Sequence, residues 1–135
     1  MKKRLLYLIF PIVTLFLEFL PYGAVCNFAF PAEDGSIERM RQLYSYFDLA
    51  PFGYANFAPL ITAIITCAII LLVTVYCITG KQKWATITKN ALLICAAISL
   101  CPLLLGIQFF SIVGGLITAS LICEFILIYH DITSK

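Results

Sequence analysis

Two long stretches of the sequence contain no acidic residue, no basic residue and no histidine. They are Leu49–Gly80 and Asn90–Cys123, and the second is 34 residues long. A helix that crosses a bilayer needs about 20 mostly apolar residues. The first stretch therefore predicts one membrane span, and the second predicts two spans joined by a tight turn at Gly106, Gln108 and Ser111.

The composition indicates that a lipid bilayer is the solvent for much of this chain. Hydrophobic residues make up 62% of the 135 residues and charged residues 12%, whereas soluble domains carry about 25% charged residues. The mean hydropathy is +1.01. These values exclude a soluble enzyme, a coiled coil and a nucleic-acid-binding module. The length corresponds to a single membrane domain, residues 1–135.

A third apolar run begins at Leu5 and is interrupted by Glu18. A cleaved signal peptide is one interpretation, with Lys2, Lys3 and Arg4 as its basic region. The sequence that follows has no small-residue cleavage site, which favours a retained helix. We therefore predict an all-α integral membrane protein, a four-helix bundle with transmembrane helices at about 5–23, 58–79, 89–107 and 110–129.

Basic residues are distributed unequally between the two sides of this arrangement. Seven fall on one side, and the long first connection, residues 24–57, carries only Arg39 and Arg41. Basic residues accumulate on the cytoplasmic side of membrane proteins. We expect a plasma-membrane protein with both termini in the cytoplasm. The seven are Lys2, Lys3, Arg4, Lys81, Lys83, Lys89 and Lys135.

The long outer connection carries a pattern typical of an amphipathic surface helix. Ser36 is a candidate N-cap, and apolar residues recur at Ile37, Met40, Tyr44 and Phe47. Packing alone explains such a helix, and a lid or a partner-docking element is the functional alternative. The aromatic residues of this connection are interpreted as headgroup-level rings or as a recognition pocket.

Two carboxyl groups fall inside predicted spans, where a charge is costly. Glu18 shares a helix face with Thr14 and Tyr22, and Glu124 lies four residues after Ser120. Proton or cation handling is the functional interpretation, and a locked helix contact is the structural one. The helical rise places the two acids roughly 10 Å apart in depth, too far to share a proton.

Glu124 has a third interpretation as one half of an ion pair. A hairpin of the last two spans brings Lys89 to the same side of the membrane. The long apolar stem of a lysine can extend along a helix. Lys89 could therefore reach toward the Glu124 carboxylate across about one helical turn.

Small residues at spacings of four predict where helices touch. In lipid, close backbone approach replaces the hydrophobic effect as the source of helix association. We expect the third and fourth spans to pack along two ridges, and Pro11 and Pro102 to bend their helices. The ridges are Ser111, Gly115, Ala119 and Cys123 in the fourth span, and Ala91, Cys95 and Ser99 in the third.

No pattern of catalytic or metal-binding residues is present in the sequence. The six cysteines include no Cys-x-x-Cys pair, and His130 is the only histidine. We expect no enzyme activity, no cofactor and no metal. The leading expectation is a non-enzymatic membrane protein that associates with itself or with a membrane partner. The alternative is an oligomeric, proton-coupled small-molecule transporter that uses an intramembrane glutamate.

The four-span plan with Glu18 in the first span resembles the small multidrug transporters, whose loops are short throughout. A four-span plan with a long first outer loop resembles the claudins and tetraspanins, whose loops carry paired cysteines. Here Cys26 is the only cysteine outside the predicted spans. These features assign the chain to none of the three families.

Overall fold

The computed structural model describes residues 4–134. They form α-helices, two short 3-10 helices and one antiparallel hairpin of two strands. In chain order the elements are the 3-10 helix Arg4–Leu8, α1 (Ile9–Phe19), β1 (Ala24–Pro31), β2 (Ile37–Tyr44), α2 (Leu49–Gly53), α3 (Ala58–Thr79), α4 (Gln82–Ser99), α5 (Pro102–Leu105), the 3-10 helix Ile107–Phe109 and α6 (Ile112–Thr133).

Three helical segments in the described part of the chain are long and apolar enough to cross a membrane. They are α3, α4 continued through α5 to Leu105, and α6, with 22, 24 and 22 residues. Gly80, with φ of +63°, ends α3 in a left-handed cap. Ser111 caps α6 by accepting a hydrogen bond from Gly114 N. The predicted turn at Gly106, Gln108 and Ser111 is confirmed.

The third membrane segment begins earlier than the predicted 89–107. α4 begins at Gln82, so Lys83 and Lys89 lie on the helix and not in a connection. Long lysine side chains are compatible with a helix near a membrane interface, because they extend toward water. α4 ends at Ser99, and Pro102 begins α5 after a break, where the predicted bend was expected.

The predicted first span, 5–23, has a shorter helical form. A 3-10 helix, Arg4–Leu8, leads into α1, which ends at Phe19. Pro11 lies in the first turn of α1, where its missing N–H removes no helical hydrogen bond. Neither segment alone reaches the length of the three helices above, so four spans are not established by length and composition.

The predicted surface helix is wrong, because residues 37–44 form strand β2. β2 pairs with β1 in continuous antiparallel register, from Ala24 opposite Tyr44 to Pro31 opposite Ile37. Asp34 and Gly35 form the turn, and Gly35 has a φ of +81°. Strand pairing satisfies the backbone of both segments, whereas an isolated amphipathic helix depends on a surface to cover its apolar face.

Four helices contact one another in a closed order. α1 contacts α3 and α6, and α4 contacts the same two helices. The hairpin lies at the end where α1 stops and α3 begins, which we call the hairpin end. Buried apolar side chains from α3, α4 and α6 form the core between the helices. Large apolar side chains also cover the outer faces of all four helices, as expected for surfaces that contact lipid.

Candidate functional site

Glu18 lies in the last turn of α1 and is fully buried. Thr66 Oγ1 of α3 lies within hydrogen-bond distance of two oxygens, 2.7 Å from Glu18 Oε1 and 3.0 Å from the Thr62 carbonyl oxygen. One hydroxyl carries one proton. Both contacts are satisfied together when Glu18 is protonated and donates to Thr66, so the geometry fits a neutral carboxyl.

The surroundings of Glu18 contain further polar atoms. Cys95 of α4 lies 3.8 Å from Thr66 Oγ1 and donates to the Thr62 carbonyl oxygen at 3.6 Å. Glu18 Oε2 and Thr62 Oγ1 are buried and have no hydrogen-bond partner among residues 4–134. The carboxyl group therefore faces a small polar cluster contributed by α1, α3 and α4.

Glu124 lies in the middle of α6 and is also fully buried. Neither of its carboxyl oxygens has a hydrogen-bond partner within the described chain. The predicted pairing with Lys89 is therefore not formed here. Nearly all buried polar groups in proteins are hydrogen-bonded, so packing alone does not account for this unpaired carboxyl.

Along the bundle axis, Glu18 and Glu124 lie on opposite sides of the hydrogen-bonded pair Thr14 and Ser120. Thr14 of α1 donates to Ser120 Oγ of α6 at 2.9 Å, and Ser111 Oγ donates to the Gly23 carbonyl oxygen, so the helices run antiparallel. Glu18 and Glu124 each lie four residues from that pair in opposite directions, about 12 Å apart along the axes.

Helical side chains tilt toward the N-terminus of their own helix, so the antiparallel arrangement of α1 and α6 favours a tilt of the two glutamate side chains toward each other. The two acids thus lie on either side of a common polar level between α1, α4 and α6.

Tyr46 closes the bundle above Glu18 at the hairpin end. Its side chain is 2% exposed, and its backbone N–H donates to the Glu18 carbonyl oxygen at 2.9 Å. A Cβ atom at Gly23 would lie 2.8 Å from the Tyr46 ring, and one at Gly114 would lie 3.2 Å from its hydroxyl. Burial raises the pKa of the Tyr46 phenol above its ordinary value.

A second tyrosine closes the opposite end. Tyr76 of α3 is fully buried and donates a hydrogen bond to Asp131 of α6. The Tyr7 ring stacks on it at a centroid distance of 6.2 Å, and the Arg4 guanidinium lies 5.8 Å from the same ring. The carboxyls of Glu18 and Glu124 are therefore enclosed between two ends that each carry a buried tyrosine.

The structure separates the predicted polar face of α1. Thr14 is fully buried beside Ser120 and shares the interior with Glu18. Tyr22 is 56% exposed and lies after the end of α1, so it does not accompany Glu18. α1 ends at Phe19, so beyond that point a spacing of four residues no longer places two side chains on the same helix face.

The two predicted small-residue ridges behave differently. In α4, Cys95 and Ser99 are buried and Ala91 is half-buried, and Ser99 Oγ lies 2.8 Å from Thr118 Oγ1 of α6. In α6, Ser111 is buried and Gly115 half-buried, whereas Ala119 and Cys123 are exposed. α6 instead buries the opposite face, which includes Gly114, Ile117, Thr118, Leu121 and Glu124.

Three residues of the site were missed in the sequence interpretation. Thr62 and Thr66 are hydroxyl residues at spacing four inside an otherwise apolar helix, and that spacing was a usable signal for an inward polar face. Tyr46 had no such signal, because its burial depends on the path of the chain after the hairpin.

Among residues 4–134, no three His, Cys, Asp or Glu side chains are arranged to hold a metal ion. The outer aromatic residues pair with one another, as Phe28 does with Tyr54 at a centroid distance of 4.7 Å. Comparison with known proteins finds no matching family model, no matching protein sequence and no matching solved structure.

Proposed function

We propose that this protein is a non-enzymatic, four-span membrane protein whose enclosed glutamates, Glu18 and Glu124, bind and release protons to drive transport of a small molecule. The observation that carries the proposal is the pair of fully buried carboxyls, three of whose four oxygens lack a partner in residues 4–134. Intramembrane acids are costly to insert and mark proton or substrate paths.

The proposal counts the first helical segment as a membrane span. The 3-10 helix Arg4–Leu8 has five residues and α1 has eleven. A 3-10 helix rises about 2 Å per residue and an α-helix about 1.5 Å. Together they extend about 27 Å, close to the roughly 30 Å of a hydrocarbon core. The outer face of this segment carries exposed Leu5, Ile9, Ile12 and Phe16, as a lipid-facing surface requires.

The orientation follows from the basic residues. Lys81 and Lys83 lie at the end of the bundle opposite the hairpin, as does Arg4. Lys2, Lys3 and Lys135 lie outside the described residues. Arg39 and Arg41 are on the hairpin. The positive-inside tendency therefore favours a cytoplasmic location for both termini, with the hairpin outside the cell membrane.

Glu18 has the geometry of a proton-binding group. When Glu18 is protonated, it donates to the Thr66 hydroxyl, and that hydroxyl donates to the Thr62 carbonyl oxygen, so both hydrogen bonds form together. When Glu18 is ionised, the single proton of the Thr66 hydroxyl can serve only one of the two acceptors. Proton release therefore changes the contact between α1 and α3. Such a change in helix contact is a means of coupling protons to the opening of the bundle.

The direct test is proton uptake by purified protein in detergent between about pH 5 and pH 9, where exposed carboxyls stay ionised. We expect Glu18→Gln and Glu124→Gln each to lower the uptake by about one proton per chain. Glu38→Gln removes an exposed carboxyl on β2 and is the matched control, with unchanged uptake.

The same variants are then reconstituted in vesicles to measure proton-coupled solute flux. Loss of flux with normal folding in the Gln variants supports the proposal. Uptake curves that coincide for the parent protein and both Gln variants would eliminate it, because carboxyls that do not titrate cannot couple protons to anything.

Self-association is the second candidate function, and one observation favours it. Gly115, Ala119 and Cys123 lie on the side of α6 opposite its buried residues. Small residues on a face that meets lipid allow the backbone of another helix to approach closely. Two copies of α6 in contact along this face would form a symmetric dimer.

A further inference from the structure

A cleft opens on the side of the bundle near its hairpin end. It has a volume of about 380 Å³ and lies between the beginning of α3 and the α4–α5 junction. Phe57, Ile61, Ile98, Leu104 and Leu105 form much of its wall. Clefts of roughly 300–1,000 Å³ with apolar walls and few polar groups are the usual form of small-molecule sites.

Asn56 is the one residue with a polar amide side chain among the described residues that line this apolar cleft. The residue is 3% exposed, and its Nδ2 donates a hydrogen bond of 3.2 Å to the Val25 carbonyl oxygen. Its Oδ1 accepts no hydrogen bond from residues 4–134. A buried amide with a satisfied donor and an orphaned acceptor is poised for a ligand that supplies one donor.

The backbone holds Asn56 in this position at a cost. Ala55, which also lines the cleft, has a φ of +64°, in the left-handed region that residues with a Cβ rarely adopt. The turn is held by a hydrogen bond of 2.9 Å from Asn56 N to the Pro51 carbonyl oxygen. Strained backbone of this kind is concentrated at binding sites.

We propose that this cleft binds the end of a membrane amphiphile, a single-chain lipid whose hydroxyl group donates a hydrogen bond to Asn56 Oδ1. The apolar chain lies against the wall of Ile61, Ile98 and Leu105. This site is separate from the enclosed glutamates and does not depend on the function proposed for them.

The rim of the cleft favours a ligand that arrives from the bilayer. Leu104 is 86% exposed and Leu105 49% exposed, so the wall continues into the surface that faces lipid. Within the described part of the chain, no charged residue lines the cleft. A water-soluble anion or cation would find no partner there, whereas an uncharged amphiphile finds an apolar wall and one acceptor.

The test uses two photoactivatable probes with the same diazirine-bearing chain, a long-chain alcohol and its methyl ether. The full-length protein is placed in phosphatidylcholine nanodiscs, because that lipid carries no hydroxyl or amide donor to compete with the alcohol. Labelled peptides are identified by mass spectrometry. We expect the alcohol to label residues 55–61 and 98–105 and to half-saturate at about a fivefold lower concentration than the ether.

Asn56→Ala should abolish the difference between the alcohol and the ether. Ile98→Trp fills the cleft and should lower labelling of both regions by both probes by about fivefold or more. Leu93→Trp, at an exposed position of α4 that does not line the cleft, is the matched control and should leave labelling unchanged.

Two results would overturn the proposal. One is equal half-saturation by the alcohol and the ether in the parent protein, which would show that Asn56 Oδ1 accepts nothing from the ligand. The other is labelling that spreads evenly over lipid-facing helices and is insensitive to Ile98→Trp. Both comparisons are made without changing Asn56, so neither depends on whether Asn56→Ala folds.

Discussion

At the scale of single residues, hydroxyl groups make the buried hydrogen bonds near the two acids. The Thr66 hydroxyl is hydrogen-bonded to Glu18, and Thr14 bonds Ser120 at the level between Glu18 and Glu124. In a low-dielectric interior each such bond matters more than it does in water. Replacing a single hydroxyl therefore tests how the protein tolerates its buried carboxyls.

Thr66→Val keeps the shape of the side chain and removes the hydroxyl that is hydrogen-bonded to Glu18. We expect the free energy of unfolding in mixed micelles to fall by about 1–3 kcal/mol, because the buried Glu18 carboxyl loses its hydrogen-bond partner. Thr74→Val on the same helix is the control, since the Thr74 hydroxyl bonds the Ile70 carbonyl oxygen of its own turn. Equal losses in the two variants would show that the Thr66–Glu18 bond contributes nothing specific.

Asp34 supplies a pH-dependent contact in the hairpin turn. Its Oδ1 accepts hydrogen bonds from the Ser36 hydroxyl and the Ser36 backbone N–H, which lower the pKa of Asp34 below its ordinary value. The contribution to turn stability is therefore complete above the ordinary pKa and is lost as pH falls through the lowered pKa.

Ser36→Ala removes the larger of the two contributions to this shift. We expect the pKa of Asp34, followed through the backbone amide signal of residue 36 in NMR spectra, to be higher in the variant than in the parent protein. An unchanged midpoint would mean that the Ser36 hydroxyl does not bond the carboxylate in solution.

At the scale of elements, α6 has two faces with different tasks. Its buried face carries Gly114, where an added Cβ atom would lie 3.2 Å from both Ser111 Oγ and Tyr46 Oη. Its outer face carries Gly115, where an added Cβ atom would meet Phe110 at 3.5 Å, an ordinary contact distance. A substitution at Gly114 therefore tests the packing of the fold, and one at the adjacent Gly115 tests association between copies.

Gly114→Leu should lower the free energy of unfolding by about 1–3 kcal/mol, because it overpacks the contact between α6 and Tyr46. Gly115→Leu should change that free energy by less than about 0.5 kcal/mol. If copies associate through the outer face of α6, Gly115→Leu also lowers energy transfer between labelled copies in vesicles. Comparable destabilisation by both variants would contradict the assignment of the two faces.

At the scale of the whole molecule, the position of the N-terminus tests the first span. If the 3-10 helix and α1 cross the membrane together, a tag before Met1 and a tag after Lys135 are both protected from added protease in intact cells. A tag at Gly35 in the hairpin turn, where an added Cβ atom would meet nothing within 4 Å, is cleaved. An accessible N-terminal tag with a protected C-terminal tag would leave three spans.

The membrane segments were predictable because they follow from local composition. α3 matches the predicted 58–79, and the turn at Gly106, Gln108 and Ser111 joins the last two segments as expected. Apolar length alone determines such segments, since every backbone polar group in lipid must be satisfied within its own helix. The sequence also showed that a carboxyl inside a span is costly, and the structure buries both Glu18 and Glu124.

The remaining features were decided by tertiary contacts. Residues 37–44 have a helical spacing of apolar residues, yet they form a strand because they pair with β1, and the spacing within 37–44 does not reveal that partner. The small residues of α6 predict a face that allows close helix packing, but they do not show what packs against that face. Only the tertiary structure shows that Ala119 and Cys123 face outward. The burial of Tyr46 against Gly23 and Gly114 joins three segments distant in sequence, and no local pattern encodes such a contact.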